Sequence, residues 1–128
     1  MIKLAITNGQ NEMNNGAGVQ VTGNHEPGLA NGLSPRELIE AAVALCTSIT
    51  LESVLKRDEI VYEPEEVHVE VAASKEEGAN NRFTHFDVEL TLPSNLEEAY
   101  KTKLLKVVER GCTISNTITK GAQVSLHE

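Results

Sequence analysis

At 128 residues and 13.9 kDa the chain has the length of one domain, 1–128, able to bury roughly two thirds of its unfolded surface. Apolar residues make up 40% and charged residues 23%, which excludes a mainly disordered chain. Eleven Lys and Arg against 19 Asp and Glu leave a net charge of −8, a surface that repels phosphate backbones and anionic lipid, so neither nucleic acid nor a membrane is an expected partner.

The first nine residues, Met1 to Gly9, lack the apolar run of a signal peptide, and no run approaches the ~18 consecutive apolar residues of a membrane span. A cytoplasmic location is the expectation. Aromatics are confined to Tyr62, Phe83, Phe86 and Tyr100, so Val, Leu, Ile and Ala must build the core.

Lys3 to Thr7 and Gly18 to Thr22 alternate and are expected as strands. Asn8-Gly9 and Asn14-Asn15-Gly16 between them are hairpin-type turn signals. A polar loop follows through Asn24-His25-Glu26-Pro27-Gly28 to Asn31-Gly32. Ser34-Pro35-Arg36-Glu37 then combines an N-cap serine, a proline at the first helical position and a glutamate at the third, a capping box ahead of an apolar run. The helix should reach Lys56-Arg57, whose charges suit a C-terminus. Its middle, Ala41 to Cys46, is apolar all round. Such a helix is buried on every side, and in so short a chain this points to a second subunit completing the enclosure.

Residues 57–66 form a polar connection. Val67 to Val71 and Phe83 to Leu92 alternate as two strands of a hairpin across the polar linker 74–82. A second helix is expected from Ser94 or Asn95, with Leu96, Tyr100, Leu104, Val107 and Val108 as its apolar stripe and Gly111 as its C-cap glycine. Thr113 to Thr119 is ambiguous, with a short helix as one reading, and Ala122 to Leu126 is expected as a last strand. The order β-β-α-β-β-α-β indicates an α+β fold.

The chemistry-bearing residues are few. Cys46 and Cys112 match no metal-ligand spacing, and His25, His68, His85 and His127 are scattered, so no metal or cofactor is expected. His68, Glu70, His85 and Asp87 read as a cross-strand polar patch. No Ser-His-Asp order or phosphate-binding glycine loop occurs. Taken singly, each cysteine reads as a small buried hydrophobe, and burial in an apolar helix would leave it inert.

The segment Ser34 to Thr50, with Pro35, Glu37 and Leu38 opening a helix and an Ala-rich stretch leading to Cys46-Thr47, resembles the central helix of the OsmC/Ohr family of thiol peroxidases. Cys112-Thr113-Ile114-Ser115-Asn116-Thr117-Ile118 is similar to that family's second signature, with Thr113 in place of a proline. The resemblance implies an antiparallel sheet around a buried central helix in an intertwined homodimer. It implies reduction of organic or small hydroperoxides, with Cys46 peroxidatic and Cys112 resolving it through an intramolecular disulfide. A dithiol, such as a lipoyl protein or another thiol, would restore both thiols.

Glu37 and Cys46 stand about 180° and ~13 Å apart on one helix and cannot meet within one subunit. Glu37 is therefore either part of the capping box alone or an aid to Cys46 across a dimer interface. Thr50 lies one turn beyond Cys46 on the same face. It either supports the thiolate or returns its proton to a helix carbonyl. Residues 1–35 contain no arginine, whereas the resembled hydroperoxide reductases carry one in the N-terminal hairpin. Arg36 is the available substitute, against its reading as a solvated surface residue. The missing arginine also leaves open a non-catalytic small-molecule-binding protein or a redox sensor.

Overall fold

A computed structural model describes all residues, 1–128, which divide into two compact units, Met1–Ala41 and Ala42–Glu128. The long helix α1, Pro35–Arg57, begins in the first unit and continues into the second.

The first unit holds an antiparallel sheet of β1 (Lys3–Thr7), β2 (Gln10–Asn14) and β3 (Gln20–Gly23), in that spatial order. Asn8 and Gly9 turn the first hairpin with φ of 51° and 77°, the left-handed pair that a two-residue turn demands and that Asn-Gly supplies at least cost. Asn14 and Asn15 shape the second connection, their Oδ1 atoms accepting from the amides of Gly16 and Ala17. Gln20 and Thr22 donate side-chain hydrogen bonds to Glu12 across β2 and β3. The expected strand at Gly18 to Thr22 is thus displaced toward Gly23, and β2 is a strand that the sequence reading did not include. Its residues, QNEMN, are held by pairing on both edges rather than by an apolar face.

The second unit holds the rest of α1, a 3-10 turn at Pro64–Glu66, the hairpin β4 (His68–Ser74) and β5 (His85–Thr91), and the helices α2 (Glu98–Gly111) and α3 (Thr113–Lys120). In the hairpin Val69 faces Leu90, Val71 faces Val88 and Ala73 faces Phe86. Alternation therefore gives one apolar side, while His68, Glu70, His85 and Asp87 are exposed on the other. Leu51, Val54 and Leu55 of α1 form the core with Leu104 and Val108 of α2 and with Leu96 before it.

Four expectations change here. The second helix begins at Glu98, because Ser94 donates its amide and hydroxyl to Glu66 and Asn95 donates to the Val61 carbonyl. Committed to the connection, neither residue caps the helix. Gly111 is the last residue of α2 rather than a left-handed cap. Residues 113–120 are helical, and residues 121–128 form no strand and are exposed throughout. Finally, α1 is not buried on all sides: Val43, Thr47, Leu51, Val54 and Leu55 are buried, whereas Leu45 is 63% and Ile49 54% exposed.

By length and composition alone α1 would cross a membrane, with a mean hydropathy of 1.7 over its most apolar window. Its packed face instead supplies half of the second unit's core cluster, which is the other way such a helix arises.

Candidate active site

Cys46 and Cys112, 66 residues apart in the chain, come together in the second unit. Cys112 stands where α2 ends and α3 begins, serving as C-cap of one and N-cap of the other. What lets this junction approach α1 is Gly111. A Cβ at that position would lie 3.0 Å from Thr50 Cγ2, so any larger residue would require Thr50 to give by a few tenths of an ångström. Thr50 cannot easily yield, since its hydroxyl donates to the Cys46 carbonyl at 2.8 Å. The structure thus holds Thr50 in the back-bonding alternative rather than with its proton at a thiol.

Both cysteines are free thiols; Cys46 is partly covered and Cys112 is buried, with 2% exposure. Burial pushes the Cys112 thiol up, but hydrogen bonding outweighs it and holds the thiol below its ordinary value. The groups responsible are the Ser115 hydroxyl and amide, the Cys46 thiol and the Thr47 hydroxyl. The Ser115 Oγ lies 3.2 Å from Cys112 Sγ. The Ser115 amide, in the first turn of α3, also favours the charged sulfur, although Cys112 makes no side-chain cap bond to that helix. Thr47 Oγ1 already donates to the Val43 carbonyl at 2.7 Å, and one proton cannot serve both acceptors. Ser115 is therefore the hydroxyl that we assign as donor to the sulfur. None of the groups that act most on Cys112 is a basic side chain.

A cleft of about 500 Å³ runs beside the pair, walled by Thr47, Phe86, Val88, Leu90, Cys112 and Ser115. Cys46 lies outside this wall, on the α1 surface beside the exposed Ile49.

Glu37 and Arg36 have their partners in the first unit. Glu37 Oε1 accepts from the amide and hydroxyl of Ser34, both at 2.9 Å, while Ser34 Oγ accepts from the Glu37 amide at 3.2 Å. This is the capping box anticipated from Ser34-Pro35-Arg36-Glu37. The Gly28 amide adds a bond to Oε2 at 3.2 Å, tying the preceding loop to the helix start. The Ser34 amide above all, then the Ser34 hydroxyl and the Gly28 amide, hold the Glu37 carboxyl below its usual value. Arg36 Nε approaches Glu40 Oε2 at 3.4 Å, an ion pair by charge and distance, yet its N–H lacks hydrogen-bond geometry.

The sequence marks Ser115 and Thr47 only as members of the two resembled signatures, with no role of their own, and Gly111 only as a C-cap. The signal for Ser115 was its place three residues after a cysteine at a helix start, the spacing of an N-cap to the third helical residue. Gly111 was noticed for a different role. No cluster of His, Cys, Asp and Glu side chains able to hold a metal occurs.

No curated protein matches the sequence. Among solved structures, the OsmC-like protein from Mycoplasma pneumoniae superposes with a TM-score of 0.71 at 16% identity, covering 93% of this chain and 86% of that one. The organic hydroperoxide resistance protein OsmC from Legionella pneumophila gives 0.67 at 18% identity, covering 92% and 87%. The organic hydroperoxide resistance protein OhrB of Bacillus subtilis gives 0.60 at 21% identity, covering 94% and 91%. These likenesses show a shared α+β fold. The family model for OsmC-like proteins matches residues 26–127, a span that includes the helix start, both cysteines and the α2–α3 junction. The chain belongs to the OsmC-like protein family.

Proposed function

We propose that the protein is a thiol-dependent peroxidase that reduces organic or small hydroperoxides, with Cys46 peroxidatic and Cys112 resolving. The observation that carries this reading is the meeting of the chain's two thiols within one hydrogen-bonded cluster. The names of the Legionella and Bacillus relatives, organic hydroperoxide resistance proteins, support the substrate class.

In this reading the Cys46 thiolate attacks the terminal oxygen of the hydroperoxide. The O–O bond breaks, the alcohol leaves after taking a proton, and Cys46 becomes a sulfenic acid. The Cys112 thiolate then attacks the Cys46 sulfur, hydroxide departs as water, and a disulfide forms. A dithiol reductant, a lipoyl protein or another thiol, returns two electrons by exchange. Hydrogen bonds that favour the charged Cys112 sulfur keep it available for the second step.

The reading includes a homodimer. Leu45 and Ile49 on α1, Leu4 and Ile6 on β1, and Val124 and Leu126 in the tail are all more than half exposed in a single chain, which supports a second copy covering them. Glu37 and Arg36 would then act on Cys46 from the second copy. We place the protein in the cytoplasm, where thiols stay reduced between turnovers.

The test is hydroperoxide consumption driven by dihydrolipoamide or dithiothreitol. Wild type should turn over, Cys46→Ser should be inactive, and Cys112→Ser should turn over only as fast as the dithiol itself condenses with the Cys46 sulfenic acid. Consumption by Cys46→Ser at the wild-type rate would refute the assignment. A redox sensor that switches without rapid turnover is the second reading, favoured because none of the groups that act most on the Cys112 thiol is a basic side chain. It predicts stoichiometric oxidation with little turnover.

A further inference from the structure

Hydroxyls on the helices of this chain mostly return their proton to the carbonyl one turn earlier. Thr47, Thr50, Ser53, Thr102 and Thr117 all do so. Ser115 departs from this pattern: on α3 its Oγ bonds Cys112 Sγ at 3.2 Å instead. The second hydroxyl beside that sulfur, on Thr47, has its proton committed to Val43. Of the two hydroxyls, only that of Ser115 has its proton on the thiol of Cys112, a residue 2% exposed that has little water to solvate a charge.

We propose that Ser115 is a positioning residue for the re-reduction of the Cys46–Cys112 disulfide, its hydroxyl receiving Cys112 as the departing thiolate so that the incoming thiol attacks Cys46. This rests on the disulfide cycle proposed above and concerns its second half.

The direction follows from two independent features. Attack needs access, and Cys112 is buried by its own chain while Cys46 is only partly covered by it, so an opening beside the second copy would reach Cys46 first. Departure needs a stabilised leaving group, and thiol–disulfide exchange runs faster when the leaving sulfur bears its charge more easily. Both place attack on Cys46 and departure on Cys112. The reductant's thiolate forms a new S–S bond to Cys46 Sγ. The Cys46–Cys112 bond breaks, and its electron pair leaves on Cys112 Sγ, where the Ser115 O–H donates to it. The second thiol of the reductant, once deprotonated, attacks the reductant sulfur bound to Cys46. That step closes the reductant into a cyclic disulfide and releases Cys46 as thiolate, so two electrons have passed to the protein.

The disulfide is best formed with diamide, which needs no peroxidase chemistry. Brief exposure of the oxidised protein to 2-mercaptoethanol, acid quenching, alkylation and peptide mass mapping then shows which cysteine carries the adduct. The expected result is an adduct on Cys46 in excess of about tenfold. Ser115→Ala should slow reduction by dithiothreitol about fivefold to tenfold, the effect of one hydrogen bond to a charged group partly developed in the transition state. Ser115→Thr, which keeps the hydroxyl, should recover most of the rate, and the oxidised proteins should melt alike. An adduct chiefly on Cys112, or Ser115→Ala reduced as fast as wild type, would overturn the proposal. Failure of diamide to form the disulfide would overturn it too. If diamide forms the disulfide and hydroperoxide does not, the peroxidase reading fails while this test still runs to its own result.

Discussion

Gly111 shows how one residue permits the close packing of the α2–α3 junction on α1. Replacing it with alanine would add about 1 kcal/mol of helix propensity. The new Cβ, however, would meet Thr50 Cγ2 at 3.0 Å, against a side chain fixed by its bond to the Cys46 carbonyl. Overpacking of this kind costs about 1–3 kcal/mol, so the clash exceeds the gain. Gly111→Ala should therefore lower the melting temperature and slow Cys46–Cys112 disulfide formation by diamide; a variant as stable and as fast as wild type would show that the junction has room. Glu37 offers a pH test. Its carboxyl titrates below the usual value because the Ser34 amide, the Ser34 hydroxyl and the Gly28 amide favour the charged form. A depressed native value means a contribution present above the unfolded-state value and lost as pH falls through the native one. Thermal melts of wild type and Glu37→Gln should thus differ at pH 7 and converge in acid. Equal melts at pH 7 would show that the box adds nothing. Neither the Gly111 clearance nor the Ser115–Cys112 bond could be read from the chain, since each depends on a partner brought close by folding. The Ser34–Glu37 box could be read, because both partners lie within one turn.

At the scale of elements, α1 and the β4–β5 hairpin were legible because their patterns are local: a capped apolar run for one, strict alternation for the other. The strand β2 was hidden because QNEMN has no apolar side and gains its place by pairing with β1 and β3. The helix α3, TISNTITK, was ambiguous because threonine, isoleucine and asparagine are weak helix formers. The start of α2 was misplaced because Ser94 and Asn95 look like caps and serve the connection instead. Packing of α2 on α1 rests on its buried stripe, and Leu104, 1% exposed, is its centre. Leu104→Ala should cost about 3 kcal/mol in urea unfolding; a loss well under 1 kcal/mol would move the core elsewhere. A second tie is the Tyr100 hydroxyl, which donates to Asp58 Oδ2 at 2.7 Å just beyond the end of α1. Burial first, and then Asp58, push the Tyr100 phenol up to about 12. A raised native value stabilises below the unfolded-state value and is lost as pH rises through the native one. Absorbance at 295 nm should therefore show one tyrosine ionising near 12 in wild type and none so late in Tyr100→Phe.

For the whole molecule, the sequence indicated an α+β fold, and the structural likenesses agree with it. The all-apolar centre of α1 indicated burial beyond what one chain provides, and Leu45 and Ile49 do remain exposed. The expected last strand, Ala122 to Leu126, is not formed: these residues have no strand partner and are exposed. If a second copy covers these surfaces, sedimentation at micromolar concentration should give twice the chain mass, and Ile49→Glu should shift it toward one. A monomeric wild type would remove the route by which Glu37 or Arg36 could reach Cys46.

The central claim is that Cys46 and Cys112 form one redox unit opened by hydroperoxide. The direct measurement is to reduce the protein, remove the reductant without air, and add one equivalent of cumene hydroperoxide while following free thiols and intact mass. The account predicts rapid loss of both thiols as an intramolecular disulfide in wild type, and a sulfenic acid trapped on Cys46 in Cys112→Ser. Thiols that persist, reacting no faster than free cysteine, would contradict it.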